Sequence, residues 1–184
     1  MSNRINLLNQ NEVSAETKEL LNKVQQKFGG VPNVFKMMAN SSAVLDSYLS
    51  FSGALSNGKL DAKIAERIAL YIAQRNSCEY CLAAHSLIAS KTGLSEEEIM
   101  LSRRGASSSA KADAALKLAN AVYETRGKVE DIDLANAREA GFDQEEILEI
   151  VGNVTLNILT NLLNNVAQTE LDFAKAKECS TCSK

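Results

Sequence analysis

The chain has 184 residues, of which 45% are hydrophobic and 23% charged, and this is ordinary usage for a globular protein. Its length predicts one domain, or two small ones built as a repeat, and is sufficient to bury a core. The net charge of −3 gives no electrostatic basis for binding nucleic acid or an anionic membrane surface. The first residues lack the apolar segment of a secretory signal, and no apolar run is long enough to span a bilayer. We therefore expect a cytoplasmic protein with no membrane and no nucleic-acid partner.

Apolar side chains recur at helical spacing along most of the chain, and proline occurs only once. No strand-like alternation is long enough to predict a strand, so the sequence predicts an all-α fold. In chain order, helices are predicted at 14–28, 34–56, 62–75, 78–91, 110–125, 131–140 and 145–177. The second of these is expected to break at 40–42, and a turn is expected at 76–77. A further helix is predicted to begin at the capping-box pair of Ser95 and Glu98. N-caps are expected at the polar residues that precede several of these helices, namely Ser14, Ser42, Asp61, Ser77 and Ser95.

These elements divide the chain into three parts. An N-terminal helical segment covers 1–28, a compact helical domain covers 29–177, and a short polar tail at 178–184 is expected to be flexible. Within the domain, a faint repeat matches 58–105 with 141–177 at an offset of 83 residues. This offset is also compatible with chance, because identity between the two segments is low.

The offset pairs each reactive side chain of the first segment with a neutral polar one in the second. Cys78 falls on Asn161, Cys81 on Asn164 and His85 on Gln168. The last predicted helix thus carries a row of asparagines along one side, at 153, 157, 161, 164 and 165. Either these amides are buried and need hydrogen-bond partners across an interface, or they form a solvated polar stripe.

One segment combines several side chains that carry chemistry. Cys78 and Cys81 form a CxxC pair, and His85 follows four residues later, so the three share one face of a predicted helix. The helix N-terminus favours thiolate over thiol, and an imidazole can exchange a proton near neutral pH. Glu66 lies one helix earlier and can reach His85 if the chain turns back at 76–77.

Other interpretations of these residues remain open. The two cysteines could be ordinary thiols, and His85 could be an ordinary polar residue. Cys78, Cys81 and His85 could also supply zinc ligands, with a second CxxC pair at Cys179 and Cys182 adding another. The tail pair could instead be a mobile electron shuttle or an exposed pair without function.

The pattern E-x11-C-x2-C-x3-H, formed by Glu66, Cys78, Cys81 and His85, resembles the signature of alkylhydroperoxidase D (AhpD)-like proteins. These belong to the carboxymuconolactone decarboxylase superfamily. The Gly30-Val-Pro-Asn33 segment and the asparagine-rich last helix are similar to the "peroxidase-related" branch of that family. The resemblance covers most of the chain, from about residue 29 to 174.

The resemblance implies a compact AhpD-like helical fold. It also implies a thiol peroxidase that needs no haem, metal or other cofactor. Cys81 would attack a hydroperoxide, Cys78 would resolve the sulfenic acid, and His85 with Glu66 would relay protons. Tyr80 stands where the prototype has a histidine; it is a possible accessory residue but a poor proton relay at neutral pH.

The resemblance also implies partners. A dithiol donor, in the well-known branch a lipoyl-bearing protein, would reduce the enzyme again, and the protein would form a homo-oligomer, commonly a trimer or hexamer. The decarboxylase branch does not depend on a cysteine pair, so the CxxC argues against a lactone decarboxylase. A non-catalytic redox sensor or scaffold that uses the same CxxC is the alternative from another functional class.

Overall fold

The computed structural model describes residues 4–179, and these residues form nine α-helices and no strand. The predicted all-α fold is therefore confirmed. The helices, in chain order, are α1 (Ala15–Phe28), α2 (Asn33–Met38), α3 (Ser42–Ser56), α4 (Ala62–Arg75), α5 (Glu79–Lys91), α6 (Glu96–Arg103), α7 (Ala110–Thr125), α8 (Asp131–Glu139) and α9 (Gln144–Ala167).

Most helices begin at a polar side chain that accepts a hydrogen bond from the first helical turn. Ser14, Asp61 and Ser95 cap α1, α4 and α6 as expected. The expected cap at Ser42 is wrong by one residue, since Ser41 is extended and its hydroxyl accepts from the Val44 amide. Glu98 turns away from its cap, so only one half of the predicted capping box at α6 forms.

The turn between α4 and α5 is short and differs from the prediction at its cap. Ser77 adopts a left-handed backbone conformation with φ 51°, and it therefore cannot act as the N-cap. Cys78 takes that position instead, with its backbone extended and its Sγ accepting from the Cys81 amide at 3.2 Å. The Cys78 amide donates to the carbonyl of Ala73, which closes the turn.

The end of the last helix is also corrected. α9 stops at Ala167, ten residues before the predicted end, because Gln168 is left-handed and the Thr169 amide returns to the Asn164 carbonyl. Residues 169–179 have no helix, although apolar side chains continue at 171, 173 and 176. Those side chains pack against the cluster that contains Cys78 and Cys81, and this tertiary contact replaces the continued helix.

The core lies around α4, which packs against α5, α6, α7 and α9. Its fully buried Ile68 and Ile72 join Leu116 of α7 and Ile150 of α9 in the largest apolar cluster. A second cluster joins α1, α2 and α3. By length and composition alone α9 could cross a membrane, but its buried side chains pack against α3, α4, α5 and α7, as in the core helix of a helical bundle.

The predicted repeat and domain boundaries stay predictions. The offset of 83 residues pairs Ser77, in the turn between α4 and α5, with Thr160. At Thr160 the chain does not turn, because α9 is continuous there, so the two segments differ at this position. The predicted flexible tail reaches beyond the described residues, and so does Cys182 of the second CxxC pair.

Candidate active site

The antiparallel pair α4 and α5 brings together the four residues of the sequence motif. Glu66 lies in the second turn of α4, Cys78 is the N-cap of α5, and Cys81 and His85 lie in the first two turns of α5. Cys78 and Cys81 are joined by a disulfide, with their Cα atoms 5.3 Å apart. The predicted grouping of these side chains is thus present in the structure.

The two sulfur-bearing residues differ in their surroundings. Cys78 is fully buried, whereas Cys81 is 3% exposed and forms part of a cavity wall. The amide of Cys81 points at the Cys78 sulfur from the N-terminus of α5, where the helix dipole also favours negative charge. Cys81 is therefore the sulfur that a small molecule can reach, and Cys78 is the one behind it.

His85 is held by Glu66 across the two helices. The histidine Nδ1 lies 2.9 Å from a Glu66 carboxylate oxygen, and both side chains are largely buried. Because the carboxylate can only accept, Nδ1 carries the proton and donates. The other ring nitrogen, Nε2, does not take part in this bond, and His85 and Cys81 line the same cavity.

The cavity beside Cys81 has a volume of roughly 200 Å³ and walls that are mostly apolar. Its polar wall consists mainly of Tyr48, His85, Thr160 and Asn164, with Lys91 also in the lining. Its apolar wall is formed by residues of α1, α2, α5 and the C-terminal segment (170–177), namely Phe28, Val34, Phe35, Ala84, Leu87, Ile88 and Phe173. The site can therefore hold a small apolar molecule against a sulfur atom.

A second cavity, of roughly 190 Å³, is lined by both Glu66 and His85. Glu66 lines this cavity, Cys81 lines the apolar one, and His85 lines both. Polar residues of α3 and α9, including Ser52, contribute to its wall. The Glu66–His85 pair thus lies between the second cavity and the cavity that contains the sulfur.

Tyr80 holds neighbouring segments together. Its hydroxyl accepts from the Val34 amide at 3.2 Å, and its ring meets Phe173 edge-on with centroids 5.6 Å apart. Burial, the largest cause, raises the pKa of Tyr80 far above its usual value, and the Val34 amide offsets only part of this. Tyr80 therefore stays protonated at neutral pH, which agrees with its expected weakness as a proton relay.

The C-terminal segment contributes to the site in a way that the sequence did not indicate. Asp172 accepts from the Asn33 backbone amide at 2.7 Å, and the Asn33 side chain donates to the Glu170 carbonyl at 3.1 Å. Buried Arg103 donates to the Lys177 carbonyl at 2.6 Å. These bonds hold residues 170–177 across α2, α5 and α6, and they place Phe173 at the cavity.

The asparagine row of α9 is largely buried. Asn153, Asn157, Asn161 and Asn164 are each less than 8% exposed, so the solvated-stripe alternative is wrong for these four residues, whereas Asn165 is exposed. Several of these amides donate to carbonyls of their own helix. Two also reach across an interface: Asn161 accepts from Asn76 at 2.9 Å, and Asn164 donates to the Cys81 sulfur at 3.5 Å.

The zinc alternative finds no support in the geometry of the described residues. Within residues 4–179, no group of three His, Cys, Asp or Glu side chains is arranged to hold a metal ion. The two cysteines are bonded to each other, and the histidine Nδ1 is taken by Glu66.

The comparisons with known proteins identify this all-helical bundle as an AhpD-like fold. The model of the carboxymuconolactone decarboxylase family matches residues 43–124, which contain all four motif residues. The family resemblance carried by the motif is thereby confirmed. No curated protein matches the chain.

Solved structures share this fold over almost the whole chain. A peroxidase-related protein from Ralstonia eutropha JMP134, described as an alkylhydroperoxidase AhpD core, superimposes with a TM-score of 0.82 at 24% identity, covering 92% of each chain. A peroxidase-related protein from Silicibacter sp. TM1040 gives 0.78 at 23% identity, covering 91% of this chain and 89% of the other. The debrominase Bmp8, in a cysteine-to-alanine variant with 2,3,4-tribromopyrrole, gives 0.77 at 16% identity, covering 94% and 93%.

Proposed function

We propose that this protein is a thiol-dependent peroxidase and disulfide oxidoreductase that reduces hydroperoxides. One observation carries the proposal: a disulfide-forming pair presents one sulfur, that of Cys81, to an apolar cavity that His85 also lines. The fold does not decide the reaction, because a debrominase has it too, and so the argument depends on the site.

In the first step the Cys81 thiolate attacks the distal oxygen of the hydroperoxide. An S–O bond forms and the O–O bond breaks, so Cys81 is oxidised to sulfenic acid and the peroxide is reduced to an alcohol or water. The leaving oxygen needs a proton, and His85, whose Nδ1 is held by Glu66, can supply it. The cavity that Glu66 lines has hydroxyl groups in its wall, among them those of Ser52 and Thr160, and this supports the return of that proton from solvent.

In the second step the Cys78 thiolate attacks the sulfur of the Cys81 sulfenic acid. The S–S bond forms, the S–O bond breaks, and the hydroxide leaves as water after it takes a proton. The N-cap position of Cys78 supports this role, since the Cys81 amide stabilises negative charge on its sulfur. The product is the disulfide present in the structure.

A dithiol donor completes the cycle, as it reduces the disulfide to two thiols and is itself oxidised to a disulfide. We propose a lipoyl-bearing protein for this role, a cytoplasmic location in which such donors stay reduced, and a homo-oligomeric enzyme. The exposed apolar side chains on one side of α9, namely Leu148, Leu159, Leu162 and Val166, support the last point.

The test begins with fully reduced protein and one equivalent of cumene hydroperoxide. Thiols are trapped after seconds and after minutes, and intact mass and peptide maps are recorded. We expect rapid loss of two hydrogens located at Cys78 and Cys81. If both cysteines stay reduced over minutes, the peroxidase proposal is wrong.

Two variants then test the roles of the two sulfurs. Cys81→Ser should abolish peroxide consumption, because it removes the attacking thiolate. Cys78→Ser should react once and hold a sulfenic acid that dimedone labels, because the resolving thiol is missing. Residual turnover in Cys81→Ser equal to that of the wild type would contradict the assignment. A single oxidation that no dithiol reverses would instead favour the redox-sensor alternative.

A further inference from the structure

Asn164 is a buried amide in direct contact with the Cys81 sulfur. The side chain lies on α9, is 4% exposed and lines the apolar cavity. Its Nδ2 donates to Cys81 Sγ at 3.5 Å and to the Thr160 carbonyl at 3.0 Å. Its Oδ1 is buried and accepts from no group among residues 4–179. A buried acceptor without a donor is unusual, because most such groups in folded proteins are paired.

The orientation of this amide follows from its neighbours. The Thr160 carbonyl can only accept, so the atom 3.0 Å from it must be the nitrogen. With the amide rotated by half a turn, Oδ1 would face that carbonyl oxygen and both bonds would be lost. The nitrogen therefore uses its two hydrogens on the carbonyl and on the sulfur, and the oxygen is left over.

We infer that Asn164 is a further catalytic residue, whose amide hydrogen stabilises the Cys81 thiolate. A disulfide sulfur is a weak acceptor, whereas a thiolate accepts strongly, so this hydrogen bond strengthens when the disulfide is reduced. The contact thus favours the ionised thiol over the disulfide and over the neutral thiol. The part of the inference that concerns peroxide rests on the proposed function; the part that concerns the thiolate does not.

The unpaired oxygen gains a hydrogen-bond donor when Cys81 becomes a sulfenic acid. A sulfenic acid carries an O–H, whereas the thiolate and the disulfide carry no hydrogen at the sulfur. When peroxide oxidises the thiolate, the S–O bond forms, the O–O bond breaks, and the new hydroxyl on sulfur can donate to Oδ1. Cys78 then displaces this hydroxyl, which leaves as water, and Oδ1 is without a donor again, as in the disulfide structure.

The other ionisable groups around Cys81 lie outside α9. Cys78 is the N-cap of α5, Tyr80, His85 and Lys91 belong to α5, Tyr48 to α3, Glu66 to α4, and Asp172 to the C-terminal segment. The two residues through which α9 lines the cavity, Thr160 and Asn164, do not titrate. A substitution at position 164 therefore changes no titratable group near the sulfur unless it introduces one.

The experiment measures the pH dependence of Cys81 alkylation by iodoacetamide, read by peptide mass spectrometry in a Cys78→Ser background. Asn164→Leu keeps a similar side-chain volume and removes the hydrogen-bond donor. The midpoint of its alkylation profile should therefore move up by about one pH unit, which is a tenfold loss of thiolate at a given pH below the midpoint. Asn164→Asp should move the midpoint further up, because a carboxylate beside a thiolate repels it. Asn164→Ala serves if Asn164→Leu does not fold.

Asn157→Leu is the matched control. Asn157 lies on the same helix, is 5% exposed, and its amide donates to the Asn153 carbonyl and not to a sulfur. The alkylation midpoint of Asn157→Leu should equal that of the Cys78→Ser background protein. If the Asn164 and Asn157 variants have the same midpoint, Asn164 does not stabilise the thiolate and the inference is overturned.

A second measurement tests the sulfenic acid. In the same background, the dimedone-labelled fraction after one equivalent of cumene hydroperoxide should decay at least several-fold faster in Asn164→Leu than in Asn157→Leu. Equal decay would remove the proposed role of Oδ1. Because alkylation needs no peroxide, a wild type that fails to consume hydroperoxide would end the proposed function while the thiolate assignment is still decided by the pH profiles.

Discussion

The carboxylate of Glu98 binds three groups that lie far from it in sequence, and its removal should destabilise the fold in a pH-dependent way. It accepts from Arg67 at 2.8 Å, from the Ser107 hydroxyl at 2.7 Å and from the Ser108 amide at 2.9 Å. The side chains of Arg67 and Glu98 are only 9% and 13% exposed. This cluster joins α4 and α6 to the loop before α7.

The size of this destabilisation follows from the pKa of Glu98. Burial raises this pKa, but the hydrogen bonds from Ser108, Ser107 and Arg67 outweigh burial and lower it from 4.5 to about 2. This lowering of the Glu98 pKa corresponds to about 3 kcal/mol of folding free energy. Because the folded-state pKa is depressed, this stability is present above pH 4.5 and is lost as the pH falls toward 2.

The assay is guanidinium unfolding of wild type and Glu98→Gln at a series of pH values from 7 to 2.5. The variant should be less stable by about 3 kcal/mol at pH 7, and the difference should shrink toward zero at the acid end. Glu97→Gln, which changes an exposed acid of the same helix, should differ little from wild type throughout. A wild-type advantage that stays constant between pH 7 and pH 3 would refute this account of Glu98.

Two further predictions concern the site and the surface. His85→Gln can keep a hydrogen bond to Glu66 but cannot carry a proton, so the rate of Cys81 with cumene hydroperoxide, followed by stopped flow, should fall by about 10²–10⁴-fold and change its pH profile. An unchanged profile would remove His85 from the mechanism. Leu162→Lys with Val166→Lys places charge on the exposed apolar side of α9 and should lower the native mass by light scattering. A mass equal to that of the wild type would exclude this surface as the oligomer contact.

Local signals explain why most helices could be predicted from the sequence. α7 was predicted with both ends correct, because the small polar residues before it and the Arg126–Gly127 pair after it, both left-handed, mark its limits. Ser14 and Asp61 carry side chains whose capping bond needs only the next helical turn. The motif residues could be grouped for the same reason, since the turn between α4 and α5 lies within the motif itself.

The sequence predictions fail where contacts with residues distant in the chain determine the local structure. Phe173 and Ala176 keep a helical spacing, but they leave the helix because an apolar cluster beside Cys78 and Cys81 is available to them. Glu98 was expected to fold back on its own helix, yet Arg67, 31 positions away, binds it more strongly. The burial of the asparagine row likewise depends on which helices cover α9, and no property of that segment alone reveals this.

The tight connection at Asn76 and Ser77 sets the rotational phase between the two helices of the site. An α-helix advances by about 100° per residue, so one residue added to or removed from this connection would turn α5 by more than a quarter of a revolution relative to α4. His85 would then point away from Glu66, while Cys78 and Cys81 could still close their disulfide. Insertions and deletions here would therefore separate the capacity to form a disulfide from the capacity to move a proton. A chain with an altered connection would be expected to oxidise and reduce without an efficient acid–base step.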